Sequence, residues 1–270
     1  MERSRGIASP PLLRVFLLLG AAQGFAIGLT GFIRPKHIVG FPLATTPLND
    51  RFAASFYLAG AIGLTLSACS RRAWDTRVLV TAFGFVTTLL LATTIGYWSE
   101  FTATRVPYAW LVSYIVDPIG AVIAIVALHL WSTERPRTDT LGALFVGEAV
   151  LCVGLGILLL AAPQTAVELW PWHLTTILAR VYGSIFLALG LGASLCSQER
   201  QQTALVPFVC TSLVFALLGI VCYGLHSSRF VGGASTAVWL VANALAVTAF
   251  ALVLVRFRVR TGERLLTVGR

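Results

Sequence analysis

The stretch RFAASFYLAGAIGLTL, residues 51–66, recurs as RVYGSIFLALGLGASL at residues 180–195. In this register Arg51 matches Arg180, with an offset of 129 positions. The same offset, without a gap, places Trp110 on Trp239. Charged and aromatic matches carry the most weight, because a chain rich in Leu, Ala, Val and Gly matches itself by chance at small residues. The sequence therefore predicts a tandem duplication, with one repeat at 1–139 and a second at 140–270.

Composition indicates a membrane protein. Hydrophobic residues make up 57% of the chain and charged residues 11%, whereas an ordinary soluble domain has about 25% charged residues. The mean hydropathy is +0.84. Eight segments approach the roughly 20 apolar residues that span a bilayer: 12–33, 47–69, 76–98, 107–131, 141–162, 175–196, 204–225 and 235–256. We expect an all-α, polytopic membrane protein of eight transmembrane helices, arranged as two parallel four-helix repeats.

Basic residues predict the orientation, because cytoplasmic loops retain Arg and Lys. With the N-terminus inside, fourteen of the twenty lie on the inner side: Arg3, Arg5, Arg14, Arg71, Arg72, Arg77, Arg135, Arg137, Arg200, Arg256, Arg258, Arg260, Arg264 and Arg270. Both termini are predicted to be cytoplasmic, in the inner membrane of a bacterium. The net charge of +9 is expected to attract anionic lipid headgroups rather than nucleic acid, because the basic residues lie beside the spans.

The second helix of each repeat is predicted to be central. Thr46 followed by Pro47 is a helix start, and Thr175 is its counterpart. Small residues recur at a spacing of four, at Ala59 and Gly63 and again at positions 188 and 192. Such faces allow close helix packing, although ordinary Gly-rich membrane packing explains them equally well.

The loops at 34–50 and 163–179 combine aromatic residues with Pro, and each contains a His, at His37 and His173. The favoured interpretation of Trp170 and Trp172 is an aromatic belt in the headgroup layer. The alternative is a paired lid over a cavity between the repeats.

Polar residues inside spans are the candidate site, because burying them in lipid is costly. Asp117 lies mid-span, with Tyr114 one turn earlier and Pro118 directly after it. The remaining candidates for ligand binding are Arg51, Arg180, Asn243 and Glu148. The structural alternative pairs Asp117 with Arg51 and Glu148 with Arg14, which would only hold helices together.

Familiar catalytic constellations are missing from the sequence. His37, His129, His173 and His226 lie at span ends or in loops, so a pair of axial haem ligands is not expected. The metalloprotease, nucleophile-elbow and phosphate-loop motifs do not occur. We expect no catalytic residues, no metal and no cofactor, with a bound lipid or quinone as the alternative.

The run from Ala179 to Gly192, preceded by Ala162 and Pro163, resembles the second helix of DoxX-like four-helix bacterial membrane proteins of unknown function. Residues 51–63 are a weaker copy. The resemblance implies a four-helix unit, association with membrane redox components such as quinones, and no established catalytic residues. It also implies an acidic residue in the last helix, which is Asp117 in the first repeat and absent from the second.

Two functions follow as hypotheses. The first is binding or transport of a small hydrophobic or amphipathic molecule between the repeats. The second is a non-catalytic subunit or scaffold of a larger membrane complex, with a membrane-protein partner or a second copy of the chain. An enzyme acting on a lipid or quinone is the least favoured.

Overall fold

The computed structural model describes residues 7–35, 43, 45–102, 108–130 and 139–268. Within these residues lie eight long helices: α1 Pro11–Ile33, α2 Pro47–Ala68, α3 Arg77–Gly96, α4 Tyr108–Ala127, α5 Thr140–Ala161, α6 Thr176–Gln198, α7 Gln202–His226 and α8 Gly233–Val268. Each contains a segment long and apolar enough to cross a membrane. The prediction of an all-helical protein with eight such helices is confirmed.

Local sequence explains where the spans begin. The Thr46 hydroxyl accepts a hydrogen bond from the Asn49 N–H at 3.3 Å, and Thr175 accepts from the Leu178 N–H at 3.4 Å. A capping hydroxyl satisfies an N–H that the helix itself leaves unpaired. The predicted cap at Thr46 and its counterpart at Thr175 are therefore present.

The helices pack across the two halves of the chain. The most extensive contacts join α1 to α2 and α5 to α6, and the next join α2 to α7, α4 to α3, α8 to α7 and α3 to α6. In contrast, α2 makes few contacts with α3, and α6 makes few contacts with α7. One group therefore comprises α1, α2, α7 and α8, and the other comprises α5, α6, α3 and α4. The last two helices of each half leave their own half and complete the other group.

Burial identifies the central helix. In α6, 78% of the spanning segment is buried, compared with 17% in both α5 and α8. The small-residue face of α2 does not pack on that of α6: a Cβ on Gly63 would meet Thr211 of α7, and one on Gly192 would meet Phe208 of the same helix. Both small faces therefore approach α7 closely. Small residues also meet between α1 and α2, where a Cβ on Gly24 would lie 3.1 Å from the Cβ of Ala61.

A buried polar cluster joins α3 to the end of α6, and so links the two halves of the chain at the predicted inner end. Arg77 Nε donates to Glu199 Oε2 at 2.8 Å, and Trp74 Nε1 donates to the same oxygen at 3.2 Å. The Arg77 guanidinium also lies 4.4 Å from the centre of the Trp74 ring. The assignment of Arg77 to lipid headgroups is wrong, because its side chain is 2% exposed and neutralises Glu199 inside the protein.

The loop at 163–179 folds into the protein. Trp170 and Trp172 are buried, and both pack on Phe52 of α2 and Trp239 of α8. The aromatic-belt interpretation of these two residues is therefore wrong: their rings fill the space between helices rather than the headgroup layer. His37 of the first loop lies outside the described residues.

Candidate functional site

A cavity lies between the two helix groups, lined by residues of α1, α2, α3, α4, α6 and α7. Its volume is about 70 Å³, counted by the centres of water-sized spheres. One water needs roughly 10–15 Å³ on this measure, so the space matches on the order of five to seven atoms of that size. Most of the lining is apolar, and its polar members are Gln23, Tyr57, Thr87, Tyr114, Asp117 and Thr211.

Asp117 is the acid of this cavity. It lies near the middle of α4, directly before Pro118, and it is 8% exposed. Its Oδ2 atom is buried and accepts no hydrogen bond from any described residue. An unpaired carboxyl oxygen in an apolar interior is costly, so Asp117 is the group in the cavity that most needs a partner.

A pair of tyrosines lies beside the acid. The hydroxyl groups of Tyr57 and Tyr114 are 2.7 Å apart. Tyr114 is buried against Trp110, with ring centres 4.4 Å apart, and Trp110 Nε1 donates to the Thr94 hydroxyl at 3.2 Å. This chain of contacts fixes the Tyr114 ring, so one wall of the cavity is pre-formed.

Gly60 gives the cavity its open side on α2. A Cβ built at Gly60 would meet no described atom within 4 Å, although the residue lines the cavity. Most other small positions of the interior are tightly packed, as a Cβ on Gly84 would lie 2.5 Å from the Cβ of Ala121. The space beside Gly60 is therefore a local feature rather than general loose packing.

The second half of the chain lacks this arrangement. Cavity-lining residues with larger counterparts at the 129 offset include Gly60 (Leu189), Leu79 (Phe208) and Val86 (Phe215), whereas Phe83 and Leu90 have the smaller counterparts Ser212 and Gly219. The counterpart of Asp117 is Ala246. The acid and Gly60 thus occur together in one half, and neither is present at the corresponding position of the other.

Arg51 and Arg180 lie away from the acid. Arg51 Nε donates to the Phe32 carbonyl at 2.9 Å, and its Nη1 contacts His226 Nε2 at the end of α7. Arg180 stacks on the Tyr97 ring at the end of α3, with 4.1 Å between the guanidinium carbon and the ring centre. The expected partnership of Arg51 with Asp117 is wrong, because Arg51 is near the beginning of α2 and bonds other groups there.

Glu148 and Asn243 are also separate from the cavity lining. Glu148 Oε1 accepts from the Ser212 hydroxyl at 3.0 Å, and Asn243 donates to the Trp239 carbonyl one turn earlier at 2.8 Å. The proposed pairing of Glu148 with Arg14 is wrong, since Arg14 points to the Ser70 carbonyl. Of the six predicted site residues, the structure brings only Asp117 and Tyr114 together.

Sequence reasoning missed Tyr57 and Gly60. The available signal was the repeat itself, because Tyr57 aligns with Phe186 and Gly60 with Leu189. A position that holds a polar or smaller residue in one repeat, and an apolar or larger residue at the aligned position of the other, marks a place where the two halves differ.

Within the described residues, no group of three His, Cys, Asp or Glu side chains could hold a metal ion.

Comparison of the chain with protein-family models, curated proteins and solved structures finds no match. The residues of the cavity are therefore the basis for assigning a function.

Proposed function

We propose that this protein binds or transports a small hydrophobic or amphipathic molecule in the cavity between its helix groups. The observation that carries the proposal is the unpaired Asp117 Oδ2 in a mainly apolar cavity. A carboxyl at this depth is stable when a proton, a charge or a hydrogen-bond donor compensates it. The described side chains supply none to Oδ2, so an occupant of the cavity is the natural partner.

The size of the cavity limits the occupant. Space for on the order of five to seven water-sized atoms accommodates a six-membered ring with one polar substituent, or the end of an apolar chain. A complete phospholipid exceeds it. We accordingly propose that membrane lipids surround the protein, and that only one end of a lipid or quinone molecule enters the cavity.

The proposal includes two parallel four-helix repeats related by a pseudo-two-fold axis along the bilayer normal. Support comes from contacts that match at the 129 offset. Arg51 reaches His226 while Arg180 reaches Tyr97, and 97 and 226 are equivalent positions. The predicted likeness to DoxX-like proteins stays a prediction.

We also propose the bacterial plasma membrane as the location, with both termini in the cytoplasm. This orientation is supported by Arg14, Arg71 and Arg72, which lie at one end of the helices, whereas Arg229 and Arg51 lie at the other.

Cysteine labelling tests the orientation. In a variant without the five native cysteines, we expect an impermeant maleimide to label Val231→Cys in intact cells but to label Arg71→Cys only after lysis. Both positions are exposed, so accessibility to the reagent depends on the side of the membrane. Labelling of Arg71→Cys alone in intact cells would reverse the orientation.

Gly60→Leu tests the cavity as a binding site. The Leu side chain extends into space that holds no described atom within 4 Å of the new Cβ, and Leu is the counterpart at position 189. We expect cyclohexanol, at about ten times its Kd, to stabilise the wild type by about 1.4 kcal/mol, and to leave Gly60→Leu unchanged.

The matched control is Gly154→Leu on the exposed face of α5, where a new Cβ also meets no described atom. Both variants replace a helical glycine, so both should fold. The control corrects for partition of the alcohol into detergent and should respond as the wild type does. An equal thermal shift in all three proteins, or none in any, would contradict binding in this cavity.

A scaffold function is the second candidate, and it is favoured by the outermost helices. Only 17% of the spanning segments of α5 and α8 is buried. These two faces contact either lipid or the helices of a partner. Purification with a second membrane protein in fixed ratio, released by substitutions on α8 but not by Gly60→Leu, would support this candidate.

A further inference from the structure

We propose that the molecule this cavity selects is a lipophilic amine carrying one positive charge. The inference rests on the proposed binding function and adds the chemical class of the ligand. The ammonium group would donate to Asp117 Oδ2, and the hydrocarbon body would lie against the apolar lining.

Charge balance is the first argument. Among the described residues that line the cavity, Asp117 is the sole acid and there is no Lys, Arg or His. The two basic side chains predicted for the site are engaged elsewhere: Arg51 bonds the Phe32 carbonyl, and Arg180 stacks on Tyr97. A single cation in the cavity would therefore balance a charge that the described protein leaves unbalanced, whereas an anion would be repelled.

Hydrogen bonding is the second argument. The Tyr57 and Tyr114 hydroxyls bond each other, so part of their capacity is already used. Asp117 Oδ2 needs a donor. An ammonium group has only donors, and a charge-assisted bond from nitrogen to a carboxylate is about twice as strong as a neutral one.

The walls provide the third argument. Phe56, Phe83 and the two tyrosines contribute aromatic rings to the lining. An aromatic face attracts a cation, and more strongly when water is excluded. The same rings pack against hydrocarbon. A compact amine with an apolar body fits both properties, and the cavity volume of about 70 Å³ matches a body of about five to seven non-hydrogen atoms.

Two probes of nearly equal shape distinguish the effect of the ligand's charge on binding from the effect of its shape. Cyclohexylamine is protonated at pH 7, whereas cyclohexanol is neutral at the same pH. Melting temperatures would be measured in detergent for the wild type, Asp117→Asn and Gly60→Leu, with sodium chloride added to the cyclohexanol samples to equalise ionic strength. Asn keeps the shape of Asp but carries no charge, and the melting temperature without probe shows whether each variant is folded.

We expect cyclohexylamine to raise the melting temperature of the wild type by several degrees. We expect the shift to disappear in both Asp117→Asn and Gly60→Leu, while cyclohexanol still stabilises Asp117→Asn. If Asp117→Asn does not fold, the loss of the amine response in Gly60→Leu and a tenfold or greater preference of the wild type for the amine over the alcohol carry the test.

Equal binding of the amine and the alcohol by the wild type would overturn the inference and leave the proposed cavity function in place, with Asp117 protonated and the ligand neutral. A shift with cyclohexylamine that persists unchanged in Asp117→Asn would overturn it as well. No shift with either probe would overturn both the inference and the proposed function.

Discussion

Glu199→Gln is expected to lower the free energy of unfolding by about 3–5 kcal/mol, because it leaves the buried Arg77 without its counter-charge. Glu199 is fully buried at the end of α6 and accepts hydrogen bonds from Arg77 Nε and Trp74 Nε1. Gln retains the shape and one acceptor, but it cannot neutralise the guanidinium. Denaturation by sodium dodecyl sulfate or by heat, in mild detergent, measures the loss.

Glu168→Gln is the matched control, since Glu168 lies exposed in the short helix Pro163–Leu169. It should change stability by less than about 0.5 kcal/mol, as surface substitutions usually do. Adding Arg77→Met to Glu199→Gln should restore part of the loss, because the double variant no longer buries an uncompensated charge. If Glu199→Gln were as stable as Glu168→Gln, the pair would not hold α3 to α6.

This pair also shows where sequence reasoning stops. Arg77 follows two loop arginines and reads as a third, since composition cannot distinguish a buried cation from a juxtamembrane one. Its partner Glu199 is 122 residues away. The link arises because α3 packs on α6 of the other half rather than on α2, and a hydrophobic pattern gives span positions without giving neighbours.

Local signals were sufficient for the helices themselves. Apolar length predicted all eight spans, and Thr46 with Pro47 predicted the start of α2, because capping needs only residues within one turn. Trp170 and Trp172 show the opposite case. An aromatic pair beside Pro is typical of the headgroup layer, and only the position of Phe52 and Trp239 determines that the rings are buried.

The candidate site was predictable in part. Asp117 and Tyr114 are one turn apart on a single helix, so their proximity follows from helix geometry. Tyr57 joins them through a contact across 57 positions, and Arg51 and Glu148 are held elsewhere by the Phe32 carbonyl and by Ser212. Charge complementarity suggested that Arg51 pairs with Asp117 and Arg14 with Glu148. Both arginines instead donate to backbone carbonyl groups at helix ends.

Asn49→Ala is expected to lower the free energy of unfolding by about 1–3 kcal/mol, the cost of leaving a buried donor unsatisfied. Asn49 lies in the first turn of α2, and its Oδ1 accepts from Trp172 Nε1 at 2.7 Å. Its amide nitrogen donates to the His173 carbonyl at 3.2 Å. The Tyr182 hydroxyl donates to the Asn49 backbone carbonyl at 3.1 Å, and this acceptor remains in the Ala variant. The main effect of the substitution is therefore that Trp172 Nε1 loses its acceptor.

A double-mutant cycle distinguishes this hydrogen bond from general packing. Phe at position 172 has no N–H, so Asn49→Ala should cost clearly less in a Trp172→Phe background than in the wild type. Asn243→Ala is the control, because Asn243 is half-buried and bonds only a carbonyl of its own helix in the described structure. Equal costs of Asn49→Ala in both backgrounds would show that the Trp172 N–H does not depend on Asn49. A smaller cost in the Phe background would show that Asn49 holds the loop at 163–179 onto α2.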